Sequence, residues 1–146
     1  MDQKDIRWIQ RFTNYRKALA KLEETVKGRK LEELTELEKE GLIQRFEYTY
    51  ELAWKTLQDF LRFRGYTEIA GPTPALQQAL RDGYLEDENK WRLLKKSREA
   101  TAHTYNSGVA ETIAQDIYQL YYSLMKQLEK RLEEERSSSQ GSIFES

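Results

Sequence analysis

The apolar residues of this chain recur at alternating spacings of three and four, and that period limits the possible folds more than any other feature. Between about Asp5 and Lys27 they are Trp8, Phe12, Tyr15, Leu19, Leu22 and Val26, one stripe along a helix. Gly28 is a natural stop. The charged run "RKLEELTELEKE" reads as a short helix or as the entry to the next one. A second long helix is expected from about Gly41 to Arg64. Its stripe is Leu42, Phe46, Tyr50 or Thr49, Ala53, Leu57 and Phe60 or Leu61, widened by Trp54. It should be the most buried element.

The period breaks at "GYTEIAGPTPAL", where Thr73 and Pro74 read as N-cap and N1 of a short helix running to about Asp82. A third long helix should begin near Asp87, run through Trp91 and Leu94, and reach about Tyr105. Asn106 or Ser107 can cap a fourth, with Ile113, Ile117, Leu120, Leu124 and Leu128 inside, ending near Arg136. No strand pattern competes. The expected fold is all-α: an antiparallel up-and-down four-helix bundle with one additional short helix, dimeric. Residues 1–136 form its single domain, and 137–146 a polar, disordered tail.

Composition narrows the function. Charged residues make up 34% of the 146, yet the net charge is only −1, which argues against a protein that coats nucleic acid through basic excess. No apolar run is long enough to span a membrane and the N-terminus has no signal-peptide h-region, so a soluble cytoplasmic protein is expected. With no cysteine there is no disulfide, thiolate zinc site or thiol nucleophile. No glycine-rich phosphate loop occurs. Glu99 and His103, four apart, lack a second ligand pair; no metal site is expected, and they read as a helical charge pair. Glu47 and Glu51 read as solvated ion pairs with Arg45 and Lys55. The competing view makes them paired catalytic carboxylates.

The seam of the third long helix breaks the pattern. Trp91, Leu94, Arg98, Thr101 and Tyr105 share a stripe, so Arg98 stands where leucine would be expected. A guanidinium buried there is costly without a partner; it either snorkels to water or serves a site. His103, the only histidine, follows five residues on, roughly 140° around an ideal helix. Tyr105, seven on, nearly eclipses Arg98. An Arg98/His103 site therefore needs a helix that loosens after about Ala102, or two copies meeting at an interface.

"REATAH", extended to R-x4-H-x-Y by Tyr105, resembles the signature of HEPN-domain proteins. Together with "RFEYTYELAWKTLQDFL" and "HTYN", it resembles the subgroup called nucleotidyltransferase substrate-binding proteins, from about Asp5 to Arg136. The resemblance implies a dimerising helical bundle encoded beside a minimal nucleotidyltransferase. It also implies a metal-independent ribonuclease toxin of a toxin–antitoxin pair, in which Arg98 and His103 are catalytic and adenylylation of Tyr105 silences the toxin. Arg98 would hold the scissile phosphate and His103 would move a proton. Arg92, Lys95 and Lys96 would contact RNA or substrate, or else form a solvated helix face. Tyr105 would reach the cleft, or else pack in the seam. The implied partners are a second copy, the cognate nucleotidyltransferase and RNA, with no cofactor. The alternatives are a non-catalytic substrate-binding subunit and a purely structural helical dimer.

Overall fold

The computed structural model describes residues 3–103 and 106–145, with the side chains of Ala102, His103, Ser107 and 139–145 left outside that description. Six helices follow in order: α1 (Gln3–Gly28), α2 (Glu36–Phe63), α3 (Pro72–Arg81), α4 (Glu88–His103), α5 (Ser107–Asp116) and α6 (Tyr122–Glu145). A 3-10 turn at Leu31–Glu33 precedes α2, and a π turn at Ile117–Tyr121 joins α5 to α6. No strand occurs among the described residues, and no described helix is long and apolar enough to cross a membrane.

The apolar period becomes the core. Trp8, Phe12, Tyr15, Leu19 and Leu22 are buried on α1, and Leu42, Phe46, Thr49, Tyr50, Ala53, Leu57, Phe60 and Leu61 on α2. These two faces meet antiparallel. Trp8 packs edge-on against Phe60, while at the other end Arg45 donates to the Lys21 carbonyl. Arg11 crosses to the buried Asp59 at 3.1 Å, which meets the requirement that a buried charge be paired. Along α6, the Tyr15 hydroxyl donates to the Met125 carbonyl at 2.6 Å. Tyr118 on the π turn donates to the Thr25 and Arg29 carbonyls and so ties the π turn to the end of α1.

Four boundaries differ from the sequence reading, each for a local reason. Helix α2 begins at Glu36 rather than near Gly41, because Thr35 and Glu38 form a reciprocal capping box. Helix α3 begins at Pro72 rather than Pro74, with Gly71 as N-cap at φ 96°, a conformation suited to glycine. The fourth long helix is interrupted by the π turn, whose wider winding places Tyr121 in the core where the period assigned Leu120: Tyr121 is fully buried and Leu120 half-buried. Helix α6 also continues to Glu145, through most of the segment set apart as a polar tail, with Ser137 donating to Glu133 one turn back. The expected Asn106 cap is in place, its side chain accepting from the Val109 N–H at 2.9 Å.

Candidate functional site

Arg98 lies on the inner face of α4, opposite α2. Its Nη1 is 3.1 Å from Glu47 Oε2, and its Nε is 3.7 Å from Glu51 Oε1. The side chain is 24% exposed. The guanidinium thus neither snorkels free nor sits unpaired: it is held across a helix interface by two carboxylates one turn apart. Nε itself is buried and makes no hydrogen bond. Thr101, one turn on, donates to the Arg98 carbonyl at 2.7 Å and steadies the last turn before His103.

This corrects the assignment of Glu47 and Glu51 to Arg45 and Lys55. Arg45 turns toward α1, donating to the Lys21 carbonyl at 3.0 Å and to Thr25 Oγ1 at 3.1 Å. Lys55 lies over the Trp54 ring, 5.7 Å from its centroid. A partner from another helix, distant in sequence but packed against α2, displaced the neighbours that spacing alone offered.

The two carboxylates are held differently. Glu51 Oε2 accepts from Trp54 Nε1 at 3.0 Å, so one of its oxygens is committed within α2. Glu47, half-buried, has Oε2 on Arg98. Between them on the helix, Tyr50 is 2% exposed with its hydroxyl buried and unbonded. Burial pushes the Tyr50 hydroxyl well above its ordinary pKa, and the nearby carboxylates of Glu51 and Glu99 add to the shift against Arg98. Behind Arg98, Ser97 Oγ and the Tyr121 hydroxyl are 2.5 Å apart, and the Tyr121 ring stacks on Phe46. The π turn therefore sets Tyr121 behind Arg98, between α2 and α4. Burial likewise raises the Asp116 carboxyl, offset in part by the nearby Tyr121 hydroxyl.

The remaining expected site residues lie along α4 and at its end. His103 is the last residue of α4, and its side chain lies outside the described residues, as does the whole of Tyr105. Arg92 pairs with Glu88 at 2.7 Å and Lys95 with Glu99 at 2.5 Å, both along α4. Lys96 is exposed. The Lys95 contact gives Glu99 a partner on the preceding turn. Among the described residues no group of three or more His, Cys, Asp or Glu is arranged to hold a metal ion. Tyr50, Trp54 and Tyr121 are the contributors that the sequence reading left outside the site, and Glu47 and Glu51, weighed there as paired carboxylates, were not joined to Arg98. The E-x3-E spacing around Tyr50 was their one visible signal.

An all-helical chain that ends α4 on R-x4-H, with the arginine held against α2, defines a HEPN-class protein. Residues 10–134 match the family described as "Nucleotidyltransferase substrate binding protein like", and the chain belongs to that family. It is 31% identical over 87 residues to the probable ribonuclease HepT of Haemophilus influenzae, an alignment covering 53% of this chain and 56% of that protein. The chain thus spans little more than half the length of that curated relative. A crystal structure of a Thermus thermophilus protein superposes with a TM-score of 0.72 at 38% identity, covering 81% of this chain and 98% of that one.

Proposed function

We propose that this protein is a metal-independent ribonuclease toxin, paired with a minimal nucleotidyltransferase that silences it by adenylylating Tyr105. The observation that carries the reading is Arg98. Its guanidinium is gripped by Glu47 through Nη1, while no described residue accepts from Nη2. A planar donor fork with one arm fixed and the other open suits a phosphodiester oxygen. The match to a probable ribonuclease supports the same reading. In it, Arg98 binds and stabilises the scissile phosphate, and His103 transfers a proton. Arg92, Lys95 and Lys96 follow the RNA backbone. The pairs that Arg92 and Lys95 make on α4 lie toward solvent, where an ion pair is worth about 0–1 kcal/mol and exchanges readily for phosphate. Residues 1–136 act as one domain, an antiparallel up-and-down four-helix bundle with α3 as the additional helix, in a cytoplasmic homodimer.

The family description favours a second reading, a non-catalytic subunit that presents substrate to a nucleotidyltransferase. Incubating the protein with labelled RNA in EDTA separates the two. Wild-type protein should cleave, and Arg98→Ala and His103→Ala should each lose cleavage while keeping their helical circular dichroism. Prior incubation with ATP, magnesium and the neighbouring nucleotidyltransferase should add AMP to Tyr105 and stop cleavage. Wild-type protein that is inert with or without EDTA leaves the binding-subunit reading in its place; cleavage lost only in EDTA rejects the metal-independent mechanism.

A further inference from the structure

Cleaving RNA through its 2′-hydroxyl requires two proton transfers: one off the attacking oxygen and one onto the leaving oxygen. The chain contains one histidine and no cysteine, so a site that receives a single His103 gains one of these groups from it. We propose that Glu47 is the other, the general base; the inference rests on the ribonuclease reading above.

Three observations single Glu47 out. Its Oε2 shares the Arg98 guanidinium at 3.1 Å, so a phosphate bound by the remaining arm of the fork would lie beside this carboxylate. Its neighbour Glu51 stands farther from the guanidinium, at 3.7 Å, and has one oxygen committed to Trp54 Nε1; no described residue donates to Glu47 Oε1, which leaves a lone pair for a substrate hydroxyl. The surroundings also point to a ligand, because the Tyr50 hydroxyl and Arg98 Nε are both buried there without a hydrogen-bond partner. Buried polar groups are seldom left unmet.

In the reaction, Glu47 Oε1 takes the proton of the 2′-hydroxyl, and the 2′-oxygen forms a bond to phosphorus as the bond from phosphorus to the 5′-oxygen breaks. The His103 imidazolium gives its proton to that departing oxygen. The products are a 2′,3′-cyclic phosphate and a 5′-hydroxyl, and solvent restores both side chains. Arg98 stabilises the charge that gathers on the non-bridging oxygens.

A leaving group that needs no proton tells base from acid. The probes are an oligoribonucleotide and uridine 3′-(p-nitrophenyl phosphate), given to wild type, Glu47→Gln, Glu47→Asp and His103→Ala. Glu47→Gln should lower kcat by ~10²–10⁴-fold on both substrates, with KM little changed. His103→Ala should fail on RNA and recover on the aryl ester. Glu47→Asp should retain part of the rate. Glu47→Gln within threefold of wild type on both substrates overturns the assignment while leaving the ribonuclease reading intact. So does a loss confined to KM, which would make Glu47 a positioning residue for Arg98, or a recovery of Glu47→Gln on the aryl ester. Wild-type protein inert on both substrates overturns the ribonuclease reading itself, and this inference with it.

Discussion

Tyr50 shows how a single side chain can be tuned for something other than stability. It is almost wholly buried, yet its hydroxyl bonds to no described residue, and an unmet buried donor costs roughly 1–3 kcal/mol. Tyr50→Phe removes the hydroxyl and keeps the ring in the core, so it should stabilise the fold by about 1 kcal/mol. Urea denaturation would register this as a higher midpoint at unchanged slope; a lower midpoint would mean that the hydroxyl has a partner. At this scale the sequence revealed the anomaly but not its resolution. Arg98 was recognisable as a charged residue in an apolar seam, because helical period is a property of one segment. That Glu47 and Glu51 hold it is a property of two segments, α2 and α4, brought together by the core. Spacing within α2 pointed instead to Arg45 and Lys55, which are engaged elsewhere.

Among the elements, the ends and irregularities were harder to read than the stripes. The apolar stripes of α1 and α2 are buried as expected apart from Val26 and Trp54, which are half-buried, since burial follows directly from period. The start of α2 was placed near Gly41, with the charged run before it open as a short helix or as the entry to α2, although the T-x-x-E of Thr35 and Glu38 in that run marks the start. That box joins two hydrogen bonds, Glu38 N–H to Thr35 Oγ1 at 3.1 Å and Thr35 N–H to Glu38 Oε1 at 2.9 Å. Arg29 adds a bond to Glu38 Oε2 at 2.7 Å. The Thr35 N–H and the Arg29 side chain together hold the Glu38 carboxyl below its ordinary range. Thr35→Ala should therefore cost about 1 kcal/mol, visible as a lower thermal midpoint, without affecting the distant α2–α4 cleft. The π turn had no sequence signal at all. Its effect is to bring Tyr121 inward against Phe46 and Ser97, and π turns recur where a helix wall has to be shaped around a site.

For the whole molecule, the question is whether one copy can complete the cleft. Arg98 and His103 diverge by roughly 140° on a regular helix, and α4 is helical through His103. On such a helix a second copy would be needed to bring the two positions to one site. The elements that carry the cleft also expose apolar surface: Tyr48 on α2 is 62% exposed and Leu93 on α4 is 44% exposed. Tyr48 adjoins Glu47, and large apolar side chains beside a polar cleft are the material of a protein interface. The protein should accordingly be a dimer built through α2 and α4. Light scattering at micromolar concentration should give twice the 17.4 kDa chain mass. Leu93→Glu places a charge at the proposed contact and should shift the mass toward one chain, lowering RNA cleavage in parallel while the circular dichroism stays helical. If that variant separates into single chains and still cleaves at the wild-type rate, each cleft is complete within one copy, and His103 must reach Arg98 through its own helix end. A wild-type protein that remains a single chain under these conditions would remove the composite site altogether.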